Sequence, residues 1–331
     1  MVLRDNAVQL CKLTSETHRA MGSRYFEEYM RKRIPIAGAL LIMMSLPGVG
    51  NKQPPQLGND ARRQFPVPAS VRVMRDIAYA AYGSRQLKLD VYVPSNDRPA
   101  RRVPGILVVR GGGWQAGDKE AFGFIAGRLA SEGFVATSIE YRTASEAKYP
   151  AAVHDLKAAV RWLRANASKF DVDPDHLGAI GGSAGGHLVA LLGTSSEVTS
   201  LEGDGGNNNV SSAVQAVIAM ACVCDLGVKD NAVRAFIGEP LDAREGSLRE
   251  GSPIAHVDRR SAPLLLMHSP TDPVVPYRLS SEMQAKYKQT GVPVTLDAID
   301  APGTHAFWND ARYFPAVMGK AAAFFRQQLL R

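Results

Sequence analysis

The chain has 331 residues, 45% of them apolar and 21% charged, which excludes a disordered or collagen-like polymer. Thirty-nine Lys and Arg against 32 Asp and Glu leave a formal charge of +7, and three Cys are too few for a disulfide framework. Length alone leaves the domain count open, because α/β folds of roughly 250 residues often form one unit.

The charge is uneven. Residues 1–50 carry seven basic and four acidic side chains, so the remaining 281 hold only +4, spread without long runs. A nucleic-acid groove needs Lys and Arg concentrated on one face, so no nucleic-acid partner is expected. Arg31-Lys32-Arg33 precedes Ile34–Leu46, thirteen residues without a charge, then Pro47 and the small residues Gly48-Val49-Gly50. A positive start, a short apolar run and small residues make a secretory signal pattern, with translation starting at Met30 or Met21, the alternative being a basic amphipathic or buried N-terminal helix. The run is shorter than the ~18 residues of a membrane span, so export without a stable membrane anchor is expected. Residues 1–50 are read as leader, 51–70 as linker and 71–331 as one catalytic domain; oligomeric state is not legible.

After the linker, strands are predicted at Val71–Tyr79 and Leu87–Val93 around a Gly83-Ser84 turn. Ile106–Arg110 is a buried strand ending at Gly111-Gly112-Gly113, and Asp118–Ser131 leads as a helix into strand Phe134–Tyr141. Pro150 opens a helix whose Val153, Leu156, Val160 and Leu163 share one face. Then follow strand Leu177–Ile180, helix Ser183–Leu192, and strands Val214–Val223 and Leu264–His268. Helix Pro276–Gln289, strand Val292–Ile299 and helix Arg312–Leu330 complete the pattern. Strands alternating with helices predict a mostly parallel sheet with helices on both faces and a hairpin at the front. Sites in such sheets lie at the carboxyl ends of the strands.

Gly181-Gly182-Ser183-Ala184-Gly185 places Gly-x-Ser-x-Gly between a strand and a helix. That turn projects the Ser183 hydroxyl, and side chains two residues to either side would collide with neighbouring backbone. A serine hydroxyl becomes a nucleophile when a histidine takes its proton and a carboxylate holds that histidine. The histidines are at 18, 154, 176, 187, 256, 268 and 305, and His305 alone follows the last strand. His256 and His268 read as local hydrogen bonders. The acid should end a strand between nucleophile and base: Asp272 does, Asp225 is the alternative, and Asp297 and Asp300 read as surface residues. Backbone N–H groups for an oxyanion would come from Ala184 and the run Gly111–Gly113.

Gly111–Lys119, Glu140-Tyr141-Arg142, Tyr149–Ala152 with Asp155, Ala159–Leu163, Gly181–Leu188, Ser252-Pro253-Ile254 and Asp272–Pro276 together resemble the hormone-sensitive-lipase and feruloyl-esterase-like (BD-FAE type) branch of the α/β-hydrolases. The resemblance spans about Val71 to Leu330. It implies a carboxylic-ester hydrolase with the triad Ser183, Asp272 and His305, and oxyanion donors Gly112, Gly113 and Ala184. No metal or cofactor is implied; the substrate would be a small ester (acetyl, feruloyl or short-chain) or an acylated polysaccharide. Arg110 stands where the family usually has a loop-bracing His, and is read as a pocket residue able to pair with a carboxylate. Trp114 and Trp308 are read as pocket walls or as packing beneath the loops. Segment Asp225–Pro263 is the expected pocket cover.

Other readings compete with this one. Gly111–Ala116 also fits a dinucleotide fingerprint with Glu140 as ribose acid, but Asp118 would face the pyrophosphate and two strands precede the motif. A non-catalytic binding scaffold and a serine peptidase are the remaining alternatives. Trp162 reads as core, Asp155 as a solvated helix charge, and Cys222 with Cys224 as buried packing on one strand face.

Overall fold

The computed structural model describes residues 64–95 and 101–330; the signal-like leader lies outside them. Eight strands form one sheet: β1 (Val71–Tyr82), β2 (Arg85–Pro94), β3 (Val103–Val109), β4 (Val135–Ile139), β5 (Val172–Gly182), β6 (Ala216–Met220), β7 (Leu264–His268) and β8 (Val294–Ala298). Their order is β1-β2-β4-β3-β5-β6-β7-β8. β1 pairs antiparallel with β2 across Gly83, whose φ of +60° suits the tight turn, and β2 pairs antiparallel with β4. From β4 onward every pairing is parallel.

The α-helices of the described residues are α1 (Gly123–Ser131), α2 (Ala151–Ala165), α3 (Ala184–Thr194), α4 (Asn231–Ile237), α5 (Glu245–Glu250), α6 (Arg278–Lys288) and α7 (Phe314–Leu329). The side-chain period of two along the strands divides the core. In β3, Ile106 and Val108 face α1 and α7, while Leu107 and Val109 face α2 and α3. β6 and β7 alternate in the same way, so apolar residues cover both faces and the strands read as continuous apolar runs. On α2, Val153, Leu156, Val160 and Leu163 are buried, as their spacing requires.

Several expectations are corrected. The linker read to residue 70 ends earlier: Phe65 packs against Phe124 and Phe314 with centroids 5.6 and 4.1 Å away, and Val67 packs against Gly127 of α1. The strand drawn to Val223 stops at Met220, because Ala221 takes a φ of +45° and leaves the pleat. Cys222 and Cys224 therefore lie in the loop beyond it, and they are joined by a disulfide instead of packing as free thiols.

Asp155 is not solvated. Its carboxylate is fully buried and accepts from Arg142 Nε and Nη2 and from the Arg142 N–H at 2.8 Å. Burial pushes its pKa up, and the Arg142 hydrogen bonds only partly oppose this. The Arg142 guanidinium also lies 3.5 Å over the Tyr82 ring, so this pair ties the segment after β4 to α2 and to the front hairpin.

Lys119 plays a similar part. It is buried, reaching Asp76 at 3.0 Å and the fully buried Asp90 at 3.2 Å, and also pairs with Glu120. The segment that follows the glycine run is thereby anchored on β2. Among the described residues no helix is long and apolar enough to cross a membrane.

Candidate active site

The carboxyl ends of β3, β5 and β7 and the loop after β8 converge. Ser183 follows β5 directly, with φ +56° and ψ −123°, a backbone strain that a non-glycine residue holds only where its surroundings fix it. The clamp is visible. Ser183 N donates to Met220 O at 2.8 Å, and the Ser183 carbonyl accepts from His187 N at 2.9 Å. Glycines let the turn close: a Cβ on Gly185 would fall against Val109 O and 2.5 Å from Arg110 O.

Ser183 Oγ lies 3.0 Å from His305 Nε2, and His305 Nδ1 lies 2.7 Å from Asp272 Oδ2. The Asp272 carboxylate is fully buried in the loop after β7, and its Oδ1 accepts from the Val274 and Val275 N–H groups at 2.8 and 3.0 Å. Burial would raise its pKa. The hydrogen bonds from His268, His305 and the two amides outweigh burial and hold the carboxyl well below the usual carboxylate range. The structure thus brings together Ser183, His305 and Asp272, residues separated by as much as 122 positions in the chain.

The other candidate acids are used elsewhere. Asp225 caps the turn that follows it, accepting from Gly227 N at 2.7 Å. Asp297 pairs with Lys320 at 2.7 Å, and Asp300 is exposed. His256 contacts Glu250 O at 2.6 Å, a local contact as expected. His268 is more than local: its Nε2 stands 3.2 Å from Asp272 Oδ2. Sequence offers only one signal for that, its place at the end of the strand that delivers the acid.

Gly111–Gly113 pass against the serine turn, close enough that a Cβ on Gly111 would sit 2.8 Å from Gly182 O and 3.3 Å from Ser183 Cβ. Gly112 and Gly113 have φ of +106° and +58°. Among the described residues their N–H groups have no protein acceptor. Ala184 N–H is the first amide of α3 and has no intrahelical acceptor either. Three amides without a protein acceptor thus belong to the residue after Ser183 and to the loop whose Gly111 passes it, and the positive end of the α3 dipole lies at Ala184.

Arg110 does not line a pocket. It is 2% exposed, and Nη1 donates to Gly111 O at 3.0 Å, to Ala116 O and to the Tyr141 hydroxyl at 3.0 Å. Its guanidinium stacks 4.0 Å over the Tyr141 ring. The planar, multi-donor head binds the two ends of the glycine loop, so it pairs with carbonyls and not with a carboxylate.

Trp114 is likewise packing. Its ring stacks on Phe236 of α4 at 4.7 Å, and its Nε1–H donates to His187 Nδ1 at 3.2 Å. His187 Nε2 then donates to Gly251 O at 2.7 Å. Burial pushes the His187 pKa down to about 4, so the ring is neutral and links the glycine loop, α3 and the segment after β6. Trp308 is buried edge-on to His305, its centroid 5.7 Å away, and fills the space beside Gly182. Segment 225–263 does lie over the loop: Ala232 Cβ would be 3.6 Å from a Cβ on Gly113.

The dinucleotide reading finds no support in Glu140, whose carboxylate is held by Arg85 at 3.1 Å and by the Lys88 N–H. Among the described residues no cluster of three His, Cys, Asp or Glu is arranged to hold a metal.

The BD-FAE family model matches residues 89–287. Esterase LipQ of Mycobacterium tuberculosis is 30% identical over 239 residues, covering 70% of this chain and 56% of that protein. Esterase LipC of the same organism is 32% identical over 197 residues, 57% of this chain and 49% of its own. The chain thus spans about half the length of the curated relatives it matches. Among solved structures, a truncated carbohydrate esterase from gut microbiota superposes with a TM-score of 0.69 at 28% identity, covering 78% of this chain and 97% of that one. Esterase 2 of Thermogutta terrifontis superposes with a TM-score of 0.66 at 28% identity, covering 78% and 92%.

Proposed function

The chain belongs to the BD-FAE family and has the α/β-hydrolase fold, and on that premise we propose that it hydrolyses carboxylic esters through an acyl-enzyme on Ser183. The observation that carries the reading is the 3.0 Å approach of His305 Nε2 to Ser183 Oγ, with the other ring nitrogen on Asp272.

His305 Nε2 takes the Ser183 proton as Oγ attacks the ester carbonyl. Asp272, anionic, accepts from Nδ1–H and stabilises the imidazolium that forms. Charge developing on the carbonyl oxygen meets the Gly112, Gly113 and Ala184 N–H groups, where one such donor is worth about 10²–10³ in kcat. The imidazolium then gives its proton to the departing alcohol. Water, activated by the same nitrogen, releases the acid.

We infer small acyl groups on exposed alcohols as the substrates. Trp114 and Trp308, the aromatics next to the two loops, are both buried against other rings and offer no open face to an aromatic acyl group. Two superposing structures agree with this: one is a carbohydrate esterase, and esterase 2 of Thermogutta terrifontis was determined with propionate bound. Acetyl or short-chain esters, including those on polysaccharide, are therefore the proposed substrates, ahead of feruloyl esters. Residues 1–50, read as a signal-bearing leader, make export part of the proposal.

The test is a panel of 4-nitrophenyl acetate and butyrate, acetylated xylan and a feruloyl ester, run with the wild type and Ser183→Ala. The reading requires turnover of the short acyl esters that Ser183→Ala abolishes. Turnover that survives that substitution, or a preference for the feruloyl ester, overturns the mechanism or the substrate class respectively.

A further inference from the structure

Asp272 Oδ2 is approached by two histidines. His305 Nδ1 lies 2.7 Å away on the Ser183 side. On the far side, His268 ends β7 with no exposed surface, and its Nε2 stands 3.1 Å from Val275 O and 3.2 Å from Asp272 Oδ2. Its Nδ1 is 2.7 Å from Ser280 Oγ on α6.

The partners assign the tautomer. Nε2 faces two oxygens that can only accept, so the proton is there. The Ser280 hydroxyl, with no other hydrogen-bond partner among the described residues, then donates to Nδ1. A neutral imidazole satisfies every atom of this arrangement. Asp272 is thus flanked by two Ser–His arms, Ser183–His305 reaching the site and Ser280–His268 buried beneath it.

We propose that His268, oriented by Ser280, is a positioning residue that holds the Asp272–Val275 turn and shares the Asp272 charge on which His305 draws. Two contacts carry this. Through Val275 O, His268 pins the residue whose own N–H holds Asp272 Oδ1 at 3.0 Å. Through the second contact its N–H competes with His305 for the same oxygen, so Oδ2 is less negative toward His305 than it would be alone. The titratable groups facing His268 are Asp272 on the following turn, Tyr277 on the turn that enters α6, its ring centroid 5.5 Å away, and beyond Asp272 the His305 ring.

The kinetic consequence rests on the ester-hydrolase reading; the titration does not. In His268→Leu the competing donor is lost and Oδ2 serves His305 alone, so the His305 titration midpoint moves up by about 0.5–1 pH unit. The turn is also less constrained, so kcat on 4-nitrophenyl acetate falls about 3–30-fold while KM stays within twofold, because a buried His268 touches no substrate. His268→Gln, whose amide places an N–H near the position of Nε2, restores most of both.

The experiment follows the imidazole resonances of histidine-labelled full chain by NMR across pH 4–9, with His305 assigned from His305→Gln, alongside kcat and KM for each variant. An upward midpoint in His268→Leu, a kcat-confined loss and rescue by His268→Gln are the expected result. An unchanged or lowered midpoint, or a loss carried by KM, overturns the proposal. If His268→Leu does not fold, Ser280→Ala, which unlocks the imidazole, must give a smaller shift in the same direction; no shift there overturns it equally. A wild type that hydrolyses no ester would sink the functional reading, yet the titration would still decide the role of His268.

Discussion

Replacing Arg110 with methionine separates the two roles open to this side chain. Methionine keeps a comparable unbranched stem but removes every donor. Three acceptors lose their partner: Gly111 O and Tyr141 Oη, each 3.0 Å from Nη1, and Ala116 O. A hydrogen bond from a charged donor is worth about 1.5–3 kcal/mol, and one nitrogen shared among three acceptors contributes less than three such bonds. The variant also relieves the burial of a guanidinium whose Nε has no partner among the described residues. The balance is a loss of about 1–3 kcal/mol of stability, read as a lower Tm or urea midpoint. Kinetically the loop loses the tie between Gly111 and Ala116 that holds the Gly112 and Gly113 amides. A loosened pair of donors should lower kcat about 10–100-fold on every ester tested. The assay is kcat and KM on a neutral and a carboxylate-bearing 4-nitrophenyl ester, with Tm measured in parallel. If the loss falls in KM and only on the carboxylate-bearing substrate, Arg110 binds substrate and the bracing argument is refuted.

Three further outcomes follow from packing and charge. Gly185→Ala places a Cβ against two backbone carbonyls, 2.5 Å from Arg110 O, with no flexible side chain to yield. A displacement of the serine turn approaching 1 Å should cost about 100-fold in kcat, and wild-type turnover in a folded variant would contradict it. Arg142→Ala strands a fully buried Asp155 carboxylate and should cost about 3–5 kcal/mol in urea unfolding; a loss below about 1 kcal/mol would mean the pair is dispensable. His187 has its pKa lowered to about 4 by burial, so the unfolded chain takes up its proton first as the pH drops below about 6.5. Stability should therefore fall by about 2 kcal/mol between pH 7 and pH 5 from this group, and His187→Phe should flatten that slope. Asp272, depressed, behaves differently: its contribution persists down to its unfolded value near ~3.9 and is lost only as pH falls on through its folded value.

The sheet was legible because period and length carry it. All eight strands occur where alternation or short apolar runs place them, and Ser183 could be picked out because a strained turn needs glycine at fixed offsets. His305 was distinguishable by chain order alone. What stayed hidden depends on contacts between distant segments. Nothing local in Val153–Leu156 reveals that Asp155 faces inward, since its partner Arg142 lies on the loop after β4. Arg110 looked like a pocket charge because two of its three acceptors are backbone carbonyls, which no residue type announces, and the third, the Tyr141 hydroxyl, is 31 positions away. The end of β6 was overrun because apolar Ala221-Cys222-Val223 continues the strand pattern while a positive φ at Ala221 breaks it. His268 shows the same limit, for its partner Ser280 sits on the next helix.

We propose that Ser183 is the nucleophile and His305 its base. Incubation of the folded protein with a fluorophosphonate, followed by peptide mass mapping, tests this without any assumption about substrate. A single adduct on the peptide containing Gly181–Gly185, formed at least 100-fold more slowly in His305→Ala, is the result the geometry predicts. An adduct on another residue, or labelling of Ser183 at the same rate without His305, would contradict it.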